Sequence, residues 1–286
     1  MIVGQTATGK SALALDLAER LGGEIICADS RTVYKEMTIG TAKPSAADQA
    51  RVPHRGLDLV SPSERFTVAD FKTYANRAIR DIQSRGKLPI MVGGSGLYID
   101  AVLYDFQLRP VAEPALRAEL EALSVDQLQA RLAALGLPLP ENARNPRYLM
   151  RAIETADAPA GTGGRSALRP NTGILGLELD MDTLAERISE RVEQMVADGL
   201  VAEVTTLGTK YGWDVQALQS PGYKAFRDYI DGTKTLDEAK AEFVRNDRAL
   251  AKRQRTWFRR NKSIHWLVTE DKLAEAVDIA TTLLDT

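Results

Sequence analysis

Apolar positions fall into two rhythms over the first 110 residues. Short continuous runs, Ile2-Val3, Glu24 to Ala28 (EIICA) and Leu88 to Val92 (LPIMV), have the length of buried strands. Between them apolar residues recur every three or four positions. Ser11 to Leu21 places Leu13, Leu17 and Leu21 on one face, and Phe71 to Ser84 does so with Phe71, Ala75, Ala78, Ile79 and Ile82. Strands alternating with helices predict an α/β core whose mostly parallel sheet is flanked by helices.

The rhythm changes near Val111. Glu113 to Leu135, rich in Ala, Leu, Glu and Arg, predicts a helical hairpin, and Asn145 to Ala156 a further helix. Asp157 to Thr172 is dominated by Ala, Gly, Pro, Ser and Thr and reads as a mobile loop. A strand at Ile174 to Leu179 then returns the chain to the sheet. Residues 111–167 are therefore expected to form a helical insertion domain, and residues 1–110 and 168–286 the core. Thr183 and Glu186 suggest a capping box opening a helix striped by Leu184, Ile188, Val192 and Met195. A long helix is expected over Leu236 to Arg259.

Composition narrows the function classes. Apolar residues make up 44% and charged residues 27%, ordinary for a soluble globular protein. A net charge of −2 advertises no polyanionic partner, so any nucleic-acid surface must be local. Cys27 alone permits neither an internal disulfide nor a Cys-cluster metal site, and His54 and His265 are too few for a His-rich one. No apolar run approaches the roughly 20 residues of a membrane span, and no signal peptide precedes the first strand, so a cytoplasmic protein is expected. Nothing demands more than a monomer.

The first candidate chemistry lies at Gly4-Gln5-Thr6-Ala7-Thr8-Gly9-Lys10-Ser11, which fits G-x-x-x-x-G-K-[ST] between a strand and a helix. Glycines let backbone N–H groups close around phosphate oxygens, Lys10 adds a point charge, and the Ser11 hydroxyl can ligate Mg²⁺. A switch or motor NTPase usually adds an Asp at a strand end to hold the metal. Leu88 to Val92 ends instead in Gly93-Gly94-Ser95-Gly96. The carboxylate at a strand end is Asp29, on the edge where ligands of a parallel sheet sit. It suits a base that deprotonates an acceptor; the plainer role is a turn cap made with Ser30. A transferase or kinase fits better than an ATPase.

A second feature is basic. Between Arg245 and Lys262, eight cations face the single acid Asp247, a local charge of +7, with Trp257 and Phe258 among them. Such a run suits RNA backbone and base contact, or is simply a solvated helix face. The pairs Arg187/Arg191 and Arg147/Arg151 set like charges at i, i+4, which a shared anionic ligand would relieve or, more commonly for any single pair, plain solvent exposure explains.

Taken together these residues resemble the tRNA dimethylallyltransferase family, also called isopentenyl-tRNA transferases. The resemblance runs in order through the phosphate loop, Asp29-Ser30 with Val33-Tyr34, Gly40-Thr41-Ala42-Lys43-Pro44, Pro53-His54-Arg55 with Asp58, and Ala69-Asp70-Phe71. It continues through Val92-Gly93-Gly94-Ser95-Gly96-Leu97-Tyr98, Asn145-Pro146, Arg151-Ala152-Ile153-Glu154, Arg187-Ile188 with Arg191, Gly222-Tyr223-Lys224 and Leu250-Ala251-Lys252-Arg253-Gln254 with Thr256-Trp257. Departures are Gln5 in place of the usual Pro, Ser95 in place of Thr, Gln219 in place of a common Arg, Ser220-Pro221 where small apolar residues are usual, and Arg147-Tyr148 in a more polar stretch.

The resemblance implies transfer of a dimethylallyl group from dimethylallyl diphosphate to N6 of adenine 37, beside the anticodon of tRNA. Gly4, Gln5, Thr6, Ala7, Thr8, Gly9, Lys10, Ser11 and Arg187 would bind the diphosphate with Mg²⁺, and Lys10, Arg191, Ser95 and the base Asp29 would serve catalysis. For tRNA contact it points to Asp29, Ser30, Arg31, Thr32, Ser95 and Arg117, and to Arg147, Tyr148, Leu149, Met150 and Arg151 on the insertion. It points further to Gln219, Gly222, Tyr223 and Lys224, and to Lys252, Arg253, Gln254, Arg255, Thr256, Trp257, Phe258 and Arg259. The partner implied is the anticodon stem-loop, clasped by the insertion. An adenylate dimethylallyltransferase acting on free nucleotide, a P-loop small-molecule kinase and a non-catalytic RNA-binding nucleotide sensor remain as alternatives.

Overall fold

The computed structural model describes all residues except 109–112, 157–165, 269 and 285–286. The expected boundary at 110/111 and most of the expected loop at 157–172 lie outside the described residues. The chain forms two compact units, residues 1–103 with 168–286, and residues 104–167.

The larger unit is built on strands β1 (Ile2–Gly4), β2 (Gly23–Cys27), β3 (His54–Arg55), β4 (Leu88–Gly93), β5 (Leu175–Leu177) and β6 (His265–Trp266). Among the described residues they form one sheet of order β3-β2-β4-β1-β5-β6, with every pairing parallel. Each of the four expected apolar runs contributes a strand. β3 and β6 are two residues long and carry no apolar run of their own. They exist because β2 and β5 offer edges to pair with.

The helices are α1 (Lys10–Leu21), α2 (Ala46–Arg51), α3 (Val68–Ser84) and α4 (Gly96–Leu103), then α5 (Pro114–Glu121), α6 (Val125–Ala134) and α7 (Pro146–Glu154) in the smaller unit. After β5 come α8 (Met181–Ala197), α9 (Leu200–Tyr211), α10 (Pro221–Ile230), α11 (Leu236–Arg259) and α12 (Lys272–Leu284). Local sequence sets their ends. Capping boxes start α3 (Thr67 with Asp70) and α11 (Thr235 with Glu238), satisfying N–H groups that have no helical partner. For α8 the structure corrects the expectation. Its cap is Asp180, whose carboxylate accepts from the N–H groups of Asp182 and Thr183, so Thr183 already lies inside the first turn.

One apolar cluster packs Leu13, Leu17 and Ala18 of α1 against Ile2, Ile25, Ile90 and Leu175 of the sheet. A second joins the later helices around Val192, Val204, Tyr223, Phe226 and Phe243, and takes in Val33, Tyr34 and Met37 from the chain after β2. The smaller unit closes α5, α6 and α7 on Leu120, Leu128, Leu132, Leu149, Met150 and Ile153.

One topological feature positions the site. β1 and β4 are neighbours, but the chain leaves β1 toward β2 and leaves β4 toward β5. The two connections run in opposite directions, which makes the region beyond the two carboxyl ends the crevice where a ligand of a parallel sheet is expected to bind. The phosphate loop occupies one lip and Gly93 to Gly96 the other.

Candidate active site

The phosphate loop is shaped by backbone that side chains would obstruct. Gly4 has φ 144°, and a Cβ there would stand 2.1 Å from the Leu177 carbonyl oxygen. Ala7 (φ 61°) and Gly9 (φ 88°) are left-handed, a geometry that turns successive N–H groups inward. Gly9 caps α1 with no side-chain hydrogen bond, so the first N–H groups of the helix are left for a ligand. Ser11, on the first turn, is exposed.

Lys10 is buried, and its ammonium donates to the Gln5 carbonyl, which also accepts from the Thr8 hydroxyl at 2.8 Å. Burial pulls its pKa down to about 7; Arg191 pushes the same way and Asp29 opposes. The Gln5 side chain, fully buried, accepts from the Leu179 N–H at 3.2 Å and reaches Met181 Sδ at 3.7 Å. The residue that departs from the family's Pro thus ties the loop to the start of α8.

That helix brings Arg191 to the loop. Its Nη1 donates to Thr6 Oγ1 at 2.9 Å, and Nη2 donates to Asp247 Oδ2 at 2.5 Å. Arg187, one turn earlier, is exposed. The like-charged pair is therefore divided, Arg191 being bound into the loop while Arg187 faces solvent.

Asp29 follows β2, half-buried. Its Oδ1 accepts from the N–H groups of Arg31 (2.7 Å) and Thr32 (3.4 Å), which fixes the turn. The plainer reading of this residue is thus realised through one oxygen, with Arg31 and Thr32 rather than Ser30 as donors. Ser30 instead donates its N–H to Ser95 Oγ at 3.0 Å, so Ser95 and the Asp29 turn meet on the same side of the crevice. The charge of Asp29 is felt at Lys10 and at Asp247.

Helix α11 spans both lips. Gln254 Oε1 accepts from the Thr6 N–H at 2.7 Å, while Nε2 donates to the Gly94 carbonyl at 3.0 Å. Trp257 Nε1 donates to Asp100 Oδ2 at 3.1 Å. A Cβ on Gly94 would stand 2.3 Å from Gln254 Nε2, and one on Gly96 would stand 2.4 Å from Trp257. The glycine run is what lets α11 approach.

The residues associated with tRNA contact divide by exposure. Lys252, Arg253, Thr256, Lys224, Gln219, Arg147 and Tyr148 are exposed, and Ser30, Arg31, Arg151 and Trp257 are partly so. Thr32, Leu149, Met150, Gly222, Tyr223, Gln254 and Phe258 are instead buried, so their side chains offer little surface to a partner. Helical periodicity explains most of this: Ala251, Gln254 and Phe258 face inward while Lys252, Arg253 and Thr256 face out. Arg117 is committed to Glu154 (2.6 Å) and Glu121 (2.8 Å), and Arg255 and Arg259 to Glu178. Their guanidinium groups organise the protein itself.

Two residues carry more of the site than the sequence suggested. Glu203 accepts the N–H groups of Thr38, Ile39 and Gly40 and the Tyr223 hydroxyl, so it holds the Gly40-Thr41-Ala42-Lys43-Pro44 segment. Asp247 pairs with Arg191. In sequence Glu203 is one acid on an amphipathic helix and Asp247 is marked only as the lone acid of the basic run; neither shows its partner.

The sequence profile described as IPP transferase matches residues 32–261, and that of isopentenyl transferase matches residues 1–58. The chain is 43% identical over 277 residues to tRNA dimethylallyltransferase 1 of Citrifermentans bemidjiense, covering 92% of this chain and 90% of the relative. It is 44% identical to the tRNA dimethylallyltransferase of Roseiflexus sp., covering 91% and 89%. The crystal structure of the tRNA isopentenylpyrophosphate transferase of Bacillus halodurans is similar, with TM-score 0.77, 39% identity and coverage of 99% and 95%. That of Staphylococcus epidermidis gives TM-score 0.71 at 32% identity, with coverage of 99% and 97%.

Proposed function

The chain belongs to the IPP transferase family, and we propose that it transfers a dimethylallyl group from dimethylallyl diphosphate to N6 of adenine 37, next to the anticodon of tRNA. The observation that carries the reading is the crevice between β1 and β4. A phosphate loop with Lys10 and Arg191 on one side faces the Asp29–Ser95 pair on the other.

In this mechanism the diphosphate binds to N–H groups of the loop from Ala7 to Ser11, that of Thr6 being taken by Gln254, with Lys10 charged against it. The bond between C1 of the allyl group and the diphosphate oxygen breaks, and the electron pair leaves with the diphosphate. Lys10 and Arg191 stabilise the negative charge that develops there. N6 of the adenine attacks C1, and Asp29 accepts the proton that N6 releases. Ser95 Oγ, fixed by the Ser30 N–H, orients the nucleotide. To reach the crevice the adenine must leave its stack. The exposed Ser11 hydroxyl, a hard oxygen donor at the head of α1, fits Mg²⁺, which would neutralise diphosphate charge when bound.

On the RNA side, Lys252, Arg253 and Lys224 are exposed cations of the larger unit, and the smaller exposes Arg147 beside Tyr148. The protein acts as a monomer in the cytoplasm. The decisive assay combines purified protein, Mg²⁺, labelled dimethylallyl diphosphate and either tRNA or AMP. Label in tRNA is the expected result. Label in AMP alone would move the reading to a free-nucleotide prenyltransferase, and phosphorylation or ATP hydrolysis without prenyl transfer would overturn both.

A further inference from the structure

Asp247 is the one acid among the cations of residues 245–262, and the structure buries it. A carboxylate buried on a helix otherwise facing a polyanion needs a physical reason, because desolvation alone opposes its charge. Burial does push its pKa up, and Arg191 works against that push. The reason for its position lies in the guanidinium it holds. Arg191 Nη2 donates to Asp247 Oδ2 at 2.5 Å, while Nη1 of the same planar group donates to Thr6 Oγ1 at 2.9 Å. Thr6 is in turn fixed through its N–H by Gln254, two turns beyond Asp247 on α11.

We infer that Asp247 is a positioning residue for the diphosphate site, holding Arg191 in the one orientation that keeps a second edge of its guanidinium on the phosphate loop. The inference rests on the reading of that loop as the diphosphate site. An arginine has several rotatable bonds, and a single hydrogen bond to a hydroxyl does not fix its plane. Two contacts from one fork, to groups on different elements, do fix it. Arg191 lies on α8, Asp247 on α11 and Thr6 between β1 and α1, so the three-membered link registers both helices against the loop.

Two roles for the carboxylate predict opposite results. A positioning carboxylate strengthens anion binding, despite its charge, by orienting Arg191. A mere competitor for Arg191 weakens it. Asp247→Ala removes both charge and acceptor, whereas Asp247→Asn keeps a hydrogen-bond acceptor and removes the charge.

The test is inorganic pyrophosphate binding by calorimetry for the full chain, its Asp247→Ala, Asp247→Asn and Arg191→Ala variants, and the Asp247→Ala/Arg191→Ala double variant. Prenyl transfer to tRNA is measured in parallel, and melting temperatures check folding. The expected result is about a tenfold rise in pyrophosphate Kd for Asp247→Ala, with a matching fall in kcat, and recovery to within about threefold in Asp247→Asn. In the Arg191→Ala background, Asp247→Ala should add less than about a twofold change, since the group it positions is already gone. Equal losses in both backgrounds, tighter binding in Asp247→Ala, or an Asp247→Asn variant as weak as Asp247→Ala would overturn the inference. If wild-type protein binds pyrophosphate but transfers no prenyl group, the transferase reading fails while the pyrophosphate series still judges Asp247. If it binds no pyrophosphate, the inference fails as well.

Discussion

Thr6 and Gln254 stand 248 residues apart and are joined by a 2.7 Å hydrogen bond from the Thr6 backbone to the Gln254 side chain. The other end of the same amide donates to Gly94. One buried side chain thereby fixes the spacing between the two lips of the crevice, where leaving group and acceptor must meet at reacting distance.

Gln254→Leu should therefore harm both stability and turnover. It keeps the volume but leaves the Thr6 N–H and the Gly94 carbonyl without this partner, a cost of about 1–3 kcal/mol for each group left buried and unsatisfied. Thermal melting should show the loss, and kcat for prenyl transfer should fall by about tenfold or more. An unchanged melting temperature would mean that water or a loop shift replaces the bridge.

Asp29→Ala should reduce prenyl transfer by about 10²–10⁴-fold, the range of a positioned general base. Binding of tRNA, measured by filter retention, should stay close to that of the wild type, because the exposed cations are untouched. Transfer at the normal rate would remove Asp29 from its proposed role. The variant also loses the turn cap to Arg31 and Thr32, so Asp29→Asn, which retains a cap acceptor, separates the two effects.

Much of this architecture is legible along the chain because its signals are local. Glycines at 4 and 9 followed by Lys10 specify an anion loop, and the stripe Leu184, Ile188, Val192, Met195 is the buried face of α8. What could not be read depends on partners distant in sequence. β3 and β6 are made by the edges they join, and Asp247 acquires its partner 56 residues away. The resemblance places Gln254 among its basic neighbours, but the spacing of Ala251, Gln254 and Phe258 marks an inward face distinct from that of Lys252, Arg253 and Thr256.

Lys10 gives the site a pH dependence of definite sign. Its pKa in the free protein is lowered to about 7 by burial, so above that pH the amine is largely neutral. A diphosphate requires the charged form. Binding must then take up a proton, and affinity for dimethylallyl diphosphate should fall by up to about tenfold per pH unit between pH 7.5 and about 9. Calorimetry in buffers of different ionisation enthalpy should detect the uptake. In Lys10→Met the affinity should be lower throughout and its slope in this window should disappear. The same shift bears on folding. The folded state binds this proton less well than the unfolded chain, so Lys10 costs stability increasingly as pH falls from about 10.5 to about 7, and by a constant amount below.

The outward face of α11 offers the sharpest test of RNA contact, since it can be altered without touching the crevice. Lys252 and Arg253 are exposed, whereas Arg255 and Arg259 are held by Glu178. If the exposed pair contacts phosphates, Lys252→Ala and Arg253→Ala should each weaken tRNA binding and lower the slope of log K against log salt by about one. Arg255→Ala and Arg259→Ala should change that slope less and melting temperature more, because their cations serve an internal carboxylate. Equal slopes for all four variants and the wild type would reduce the basic run to a solvated helix face. A lower slope for the exposed pair alone would assign it to the RNA backbone.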